Sequence, residues 1–242
     1  MINFDAIGTK NVKWATPGSP TVGHSSKTFL EWYYHIGNPA VFATHMTIFD
    51  GAGTDSDQYD LAIIQPSSHL SKIGCSFHFS TTDGFWRTTN NVLTLNAWNF
   101  IAVTYNGSST SNDPLIYVNS VSQTITEVGA PVGTYRTGTN TDVYLGTTVA
   151  GGNPNGYIAS SLIYNRILSA AEILDAYNSR LAIPNWNGLV FAPNLSGPAG
   201  GLADGATMAA GNTIRDIISG ASGVPTGSPV FKHNTILSLG GE

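Results

Sequence analysis

The sequence predicts an all-β protein, a two-sheet antiparallel jelly-roll sandwich with one short α-helix. Short runs of β-branched and aromatic residues recur between clusters of Gly, Asn, Asp and Pro, and apolar and polar residues alternate within these runs. One stretch has helical spacing instead. The 242 residues are 41% hydrophobic and 10% aromatic, so the chain can bury a full core.

The predicted strands follow one another through the first part of the chain. Alternation within them predicts antiparallel pairing with one buried face on each strand. In the first run, it places Trp32 and Tyr34 on one face and Tyr33 on the other. The runs are residues 28–34, 40–49, 59–64, 76–80, 98–105, 115–118 and 143–145.

The helix is predicted over residues 169–180. Ser169 is placed to cap the first turn, and Glu172, three residues later, can reach back to the Ser169 amide. This pattern is a capping box, and Ile173 and Tyr177 follow at helical spacing. A short amphipathic helix is expected here.

Five segments occur in an order that resembles a known family. They are residues 98–108, 115–119, 144–146, 156–159 and 163–173. Together they resemble the laminin-G-like branch of the concanavalin A-like lectin/glucanase superfamily. The resemblance implies a concanavalin A-like sandwich, a fold that hosts lectins, hydrolases, adhesion modules and structural proteins. It therefore predicts the fold and leaves the chemistry open.

The opening strands of that family stand at the far end of this chain. The segments that resemble them are residues 188–192, 216–220, 227–229 and 237–239, and residues 2–5 resemble their continuation. We therefore interpret the sequence as circularly permuted. Residues 1–181 form the main part of the sandwich, 182–187 form a linker, and 188–242 form a tail that supplies the displaced first strands. Because a sandwich without them would expose an unpaired edge, the tail either folds onto its own domain or pairs with a neighbouring copy.

Composition argues against two classes of partner. Only 10% of the residues are charged and the formal net charge is −5, so we expect no contact with nucleic acid or with an anionic membrane surface. No apolar run approaches the ~20 residues of a membrane-spanning helix, so no membrane insertion is expected. The single cysteine, Cys75, excludes an intrachain disulfide.

The acidic residues do not predict catalysis. Glucanases of this superfamily use closely spaced carboxylates on one strand, because one donates a proton while the other attacks or stabilises the sugar cation. The four glutamates are Glu31, Glu127, Glu172 and Glu242, and they stand far apart in the sequence. Only Glu172 has a nearby acid, Asp175, one helical turn later. The sequence therefore predicts a protein that is not an enzyme.

One loop offers candidate metal ligands. Asp50, Asp55, Asp57 and Asp60 lie within eleven residues on a Gly-containing segment, and their oxygens could bind Ca²⁺. The spacing does not fit an EF-hand. An Asp-rich hairpin loop without metal explains the same residues, because Asp and Gly are favoured in turns. Apart from this Ca²⁺, no cofactor is predicted.

Three aromatic residues are candidates for contact with a ligand or a partner protein. Trp86 lies at a predicted turn and Trp186 in the predicted linker, so both are expected to be exposed. Tyr33 is added because it lies on the opposite face from Trp32 and Tyr34. An exposed aromatic ring can stack on a sugar or anchor a protein contact.

These observations predict a non-enzymatic protein that works by surface contact. The main hypothesis is a structural component of a virus particle, such as a bacteriophage capsid decoration or fibre-associated protein. Its partners would be copies of itself or a capsid or surface lattice, and its location the virion. A low-charge surface suits packed copies, and a start at Met1 without a secretion signal fits release by lysis. The alternative is a carbohydrate-binding, lectin-like or adhesion module of a bacterial protein, at the cell surface or secreted, with a glycan as its partner.

Overall fold

Two antiparallel β-sheets pack face to face in the computed structural model. It describes residues 1–4, 10–15, 25–37, 43–50, 59–65, 71–136, 141–146, 152–180, 182–195, 205–209 and 211–231. The strands are β1 (Ile2–Phe4), β2 (Asn11–Trp14), β3 (Ser26–His35), β4 (Ala43–Asp50), β5 (Tyr59–Gln65), β6 (Gly74–Phe77), β7 (Gly84–Thr88), β8 (Ala97–Asn106), β9 (Leu115–Val118), β10 (Val121–Ser122), β11 (Ile125–Gly129), β12 (Thr141–Gly146), β13 (Gly156–Tyr164), β14 (Leu189–Phe191), β15 (Ile214–Arg215), β16 (Ser222–Thr226) and β17 (Val230–Phe231). The helix α1 spans Ala170–Ser179. The predicted all-β sandwich with a short helix is confirmed.

The strands divide into two sheets. Sheet A has the order β10-β9-β8-β3-β13-β1-β17, with β14 also paired to β13. Sheet B has the order β11-β7-β6-β5-β4-β12-β2-β16-β15. The longest pairing joins β3 to β8, from Ser26 opposite Asn106 to His35 opposite Ala97. Since β13 pairs with the other edge of β3, β3 lies in the interior of sheet A.

The main core fills the space between the sheets. Inward positions alternate with outward ones as the sequence pattern predicts, for example in β7, where Trp86 is buried between the less buried Phe85 and Arg87. Sheet A contributes Phe29, Tyr33, Ile101, Val103 and Ile158, and sheet B contributes Trp14, Met46, Phe77, Trp86 and Leu145.

A second apolar cluster lies on the outer face of sheet A, beneath α1. Leu30 and Trp32 belong to it, together with Ile173 and Ala176 of the helix. The helix begins with the predicted capping box, in which the Glu172 carboxylate accepts a hydrogen bond of 2.9 Å from the Ser169 amide. Helix α1 therefore covers part of this outer face.

The tail strands extend both sheets. In sheet A, β14 pairs with β13 and β17 pairs with β1. In sheet B, β16 pairs with β2, and Trp14 Nε1 donates a hydrogen bond of 2.8 Å to the Ile214 carbonyl. Residues 237–239 lie outside the described residues, and the permuted order stays a prediction.

A buried carboxylate shapes the loop between β15 and β16. Asp216 accepts hydrogen bonds from the amides of Ala192 and Ser219, at 2.8 and 2.9 Å, and from the Ser219 hydroxyl. These bonds satisfy a charge that would otherwise be costly to bury. The Asp216 segment is thereby joined to the residues that follow β14.

The turn predicted at Trp86 is wrong, because Gly84–Thr88 form strand β7. Asp83 and Gly84 favour a turn by composition, but Gly84 is the first residue of the strand. A Cβ at Gly84 would lie 2.1 Å from the Trp86 ring, so the glycine makes room for the indole.

Within the described residues, no helix has the length and the apolar character needed to cross a membrane.

Candidate functional site

Three aromatic side chains lie side by side on the outer face of sheet A. We call Trp98 of β8, Tyr34 of β3 and Tyr157 of β13 the aromatic row. Tyr34 is paired with Trp98 on one side and with Tyr157 on the other. The ring centroids are 5.5 Å apart for Tyr34 and Trp98, and 5.7 Å apart for Tyr34 and Tyr157. All three side chains are half-buried, so part of each remains open to a ligand.

The residues next to the aromatic row hold it against the helix. Trp32 lies 5.3 Å from Phe100 between ring centroids, and it stacks on Tyr177 of α1 at 5.6 Å. Trp98 and Tyr157 pack against this buried cluster. The aromatic row thus lies at the border between the covered and the open part of the outer face.

A glycine lets β3 and β13 approach each other beside the aromatic row. A Cβ at Gly156 would lie 1.9 Å from the Tyr34 carbonyl oxygen and 2.6 Å from the Tyr33 ring. Because a backbone atom cannot move aside cheaply, only glycine fits this position. Its place directly before Tyr157 fixes how that ring stands beside Tyr34.

Several polar atoms around the aromatic row have no hydrogen-bond partner among the described residues. The Tyr34 and Tyr157 hydroxyls form no hydrogen bond with any described residue. The Nε1 atoms of Trp32 and Trp98 lack an acceptor in the part of the chain that the structure describes, but they are buried, so the hydroxyls of the two tyrosines are the polar tips available to a ligand. Aromatic rings with polar tips can contact the C–H face of a sugar and bond its hydroxyls. The arrangement therefore suits a saccharide.

A cluster of polar side chains, separate from the aromatic row, is buried between the sheets. His45 Nδ1 lies 2.7 Å from Glu31 Oε1, and both side chains are fully buried. Tyr33 packs on His45 with ring centroids 4.3 Å apart and donates a hydrogen bond of 2.9 Å to the Asn155 carbonyl. Burial, and secondarily the nearby His45, lower the pKa of His35 to about 4. Because a substrate cannot reach these residues, we interpret them as a structural network.

Two of the predicted contact residues are buried, which contradicts a surface role. Tyr33 faces the core as part of the polar network just described. Trp86 also points inward from β7, where its Nε1 donates a hydrogen bond of 2.8 Å to Asp113 and its ring packs 5.5 Å from that of Tyr105. Strand alternation explains the error, since Phe85 and Arg87 occupy the outward positions.

Trp186 is 62% exposed in the structure. It lies between α1 and β14 in the segment 185–187, which we call the Trp186 turn. The Arg166 Nε donates to the Asn187 carbonyl at 2.8 Å, and the Tyr164 hydroxyl donates to the Asn185 carbonyl at 2.9 Å. The turn is therefore fixed at both ends while its indole points into solvent.

Three of the four glutamates lie in the described part of the structure. Glu31 is in the core, Glu127 is exposed on β11, and Glu172 is engaged in the capping box, whereas Glu242 lies outside the described residues. Within the described ranges, no three His, Cys, Asp or Glu side chains are grouped so that they could hold a metal ion.

The predicted Ca²⁺ loop falls largely outside the described residues. Asp50 is the last residue of β4 and Asp60 the second residue of β5, and Phe49 is paired with Tyr59 between them. Asp55 and Asp57 are among the residues that the structure does not describe. The Ca²⁺ site stays a prediction.

The aromatic row was not predicted as a site. Alternation correctly placed Tyr34 on the same face as Trp32, but it did not show that this is the outer face, nor which residues of β8 and β13 lie beside Tyr34. The only available signal was that Trp98 is the first residue of the family-like segment 98–108 and Tyr157 the second residue of the segment 156–159. Cross-strand register was needed to combine them.

Comparisons with solved structures identify similar folds. A Bacteroides ovatus protein with a provisional assignment to carbohydrate binding is 14% identical, with a TM-score of 0.59 over 94% of this chain. The chain covers 61% of that protein. The carbohydrate-binding module CBM40 of a Ruminococcus gnavus sialidase, solved with α2,3-sialyllactose, is 12% identical, with a TM-score of 0.50 over 69% of this chain and 94% of the module.

A heptameric pentraxin from Limulus polyphemus is 10% identical, covering 79% of this chain and 90% of its own, with a TM-score of 0.48. No curated protein sequence matches the chain significantly. A family model does match residues 8–174, well over half of the chain, and its description agrees with the sandwich seen here. The chain belongs to the concanavalin A-like lectin/glucanases superfamily.

Proposed function

We propose that the protein is a non-enzymatic carbohydrate-binding module that holds a neutral saccharide on the aromatic row. The observation that carries this proposal is the register of Trp98, Tyr34 and Tyr157, which brings three half-buried rings together on neighbouring strands. None of the three side chains is charged, so the aromatic row itself offers no countercharge to an acidic sugar. Stacking and hydroxyl hydrogen bonds provide the affinity.

The fold is compatible with this function. The Bacteroides ovatus protein and the CBM40 module carry carbohydrate-binding descriptions on similar sandwiches. The same fold also hosts enzymes and structural proteins, so the aromatic row and not the fold supports the proposal. A location at a bacterial cell surface or outside the cell would suit a glycan ligand.

The virus-particle hypothesis stays a prediction. It was based on the low charge and on the sequence start, and the comparisons reported above name no virus protein. A surface-contact function fits both hypotheses. The glycan hypothesis is preferred because the aromatic row gives it a specific group of residues.

Affinity gel electrophoresis tests the proposal. The protein is run through native gels that contain barley β-glucan, xylan, galactomannan or pullulan, all neutral and soluble. We expect at least one polymer to retard the wild type, and Trp98→Ala to weaken binding about tenfold or more, since it removes one of the three rings on which the sugar would stack. Leu95→Ala is the matched control, because Leu95 is an exposed apolar residue on the loop before β8.

Addition of EDTA separates binding at the aromatic row from binding at a metal-dependent site. EDTA should leave the retardation unchanged, because the aromatic row supplies no carboxylate ligand; a loss with EDTA would point instead to the loop at residues 50–60. Migration of the wild type at the same rate in all four gels as in a polymer-free gel would refute the proposal.

A further inference from the structure

We propose that the Trp186 turn is a second saccharide contact, and that it and the aromatic row together bind a polymeric glycan. This inference rests on the proposed function, which it extends from one ring-sized contact to two. Trp186 lies outside residues 8–174, the part of the chain that matches the family model.

Trp186 is the most exposed tryptophan of the chain. Of the five tryptophans, Trp14, Trp32 and Trp86 are buried and Trp98 is half-buried, whereas Trp186 is 62% exposed. A large aromatic ring in water has apolar surface that a ligand can cover, and tryptophan is enriched among the residues that dominate binding energies. Trp186 is therefore the tryptophan best placed for an incoming ring.

Hydrogen bonds hold the Trp186 turn in place. Arg166 donates to both oxygens of Glu172, at 2.6 and 3.1 Å, and Glu172 Oε1 also accepts a hydrogen bond of 3.0 Å from Asn185 Nδ2. The Asn187 amide donates to Asn185 Oδ1 at 2.8 Å. An indole on a fixed turn loses less conformational freedom on binding than one on a mobile loop.

A polar side chain, that of Asn187, lies next to Trp186 in the sequence. The Asn187 side chain is exposed and forms no hydrogen bond with the residues that the structure describes. Its carboxamide offers a donor and an acceptor next to the indole of Trp186, which matches a sugar that presents a C–H face and hydroxyl groups. A purely apolar partner would leave this amide unsatisfied.

The two contacts lie toward opposite ends of one strand pair. Tyr157 is paired with Tyr34 at one end of β3, whereas Tyr164, whose hydroxyl holds the Trp186 turn, is paired with Thr28 at the other. Six residues of extended strand span about 20 Å. A glycan long enough to reach both contacts would gain from a high effective concentration at the second one.

The test uses the four polysaccharide gels with the full chain and four variants. Trp186→Ala should weaken binding to the retarding polymer about ten- to a hundredfold, as should Trp98→Ala, because each change removes one of two linked contacts. Trp186→Phe keeps an aromatic ring and should retain most of the binding. Leu174→Ala is the control, since Leu174 is an exposed apolar residue of α1, and it should bind like the wild type.

A fluorescence measurement follows Trp186 directly. Acrylamide should quench an accessible emission component that is missing in Trp186→Phe, and the retarding polymer should protect this component in the wild type. In Trp98→Ala the protection should require more polymer, because only the Trp186 contact remains. Unchanged melting temperatures of the variants would exclude unfolding as the cause of weaker binding.

The outcomes are distinguishable. If Trp98→Ala weakens binding and Trp186→Ala binds like the wild type, the second contact is wrong and the proposed function stands. If Trp186→Ala weakens binding and Trp98→Ala does not, the aromatic row is wrong and the two-contact proposal falls with it. If no polymer retards the wild type, both proposals fail.

Discussion

His35 shows how a single buried residue connects stability to pH. It lies between the sheets with its Nδ1 3.5 Å from the Tyr33 hydroxyl and its Nε2 3.4 Å from the Ser71 hydroxyl. These are long contacts to neutral groups, so they do little to stabilise an imidazolium ion. The lowered pKa of about 4, caused first by burial and then by His45, reflects this setting.

The pKa of His35 predicts that the protein loses stability on mild acidification. Above pH 6.5 the side chain is neutral in both states; between pH 6.5 and 4 the unfolded chain binds a proton that the folded chain excludes. The free energy of unfolding should therefore fall across this window, with His35 contributing at most about 3 kcal/mol. In His35→Gln this part of the slope should disappear, as measured by urea unfolding from pH 7.5 to 4. If the free energy of unfolding fell equally steeply with pH in His35→Gln and in the wild type, His35 would not be the cause.

Gly156 predicts a steric effect at the same scale. Gly156→Ala should destabilise the protein by about 3 kcal/mol or more, because the added methyl group would meet the Tyr34 backbone at 1.9 Å. It should also weaken saccharide binding by displacing Tyr157. Gly211→Ala is the control, since no atom lies within 4 Å of the added Cβ. Thermal unfolding measures both variants, and equal melting temperatures would show that β3 and β13 can separate without cost.

At the scale of elements, the start of α1 and the Trp186 turn share one carboxylate. Glu172 accepts from the Ser169 amide in the capping box, from the Arg166 guanidinium and from Asn185. The Arg166 hydrogen bonds come first among the causes that lower the pKa of Glu172 to about 2, followed by the Ser169 amide. The same residue thus starts the helix and positions the turn.

Glu172→Gln tests this shared role. The lowered pKa means that the carboxylate stabilises the fold above pH 4.5 and that this contribution is lost as the pH falls toward 2. Because the pair is partly exposed, we expect the variant to lose about 1 kcal/mol at pH 7 and nearly nothing, relative to wild type, near pH 2. Asp175→Asn, an exposed carboxylate of the same helix, should have no effect. A pH-independent difference between Glu172→Gln and wild type would refute the electrostatic explanation.

At the scale of the whole molecule, the described strands after Gly188, β14 to β17, belong to the sandwich. Val190, Phe191, Ile214 and Phe231 are buried in the same core as residues of the first strands. Each such side chain contributes about 1.5–3 kcal/mol on burial. A chain that lacked them would expose β1 and β2 along one edge each.

Deletion of residues 186–242 should therefore remove stability or change association. We expect the shortened chain to aggregate, to form oligomers through its open edges, or to melt at a much lower temperature. Light scattering coupled to size-exclusion chromatography, with thermal unfolding, measures this. A soluble monomer as heat-stable as the full chain would show that the tail is dispensable.

The sequence allowed prediction of the features that depend on local pattern. Alternation predicted six of the seven strands between residues 26 and 118, all but β7, and the capping box placed the start of α1. Trp86 was placed wrongly because turn-forming residues beside it obscured a short strand. The aromatic row could not be predicted, because it depends on which residues of β8, β3 and β13 stand opposite one another, and these strands are far apart in the chain.

The pairing of β1 has a consequence for how the protein reaches its native state. All three of its residues pair with β13 at Gly156–Ile158, and Ile2 and Asn3 also pair with β17 at Val230–Phe231, so both neighbours lie more than half the chain away. Contacts between residues so far apart in the sequence stabilise the fold only after a long loop has closed. The loss of chain entropy on loop closure slows folding. During synthesis β1 cannot find its second neighbour until residue 231 has left the ribosome. We therefore expect folding to be completed after synthesis, with an interval in which chaperones have sheet edges to protect.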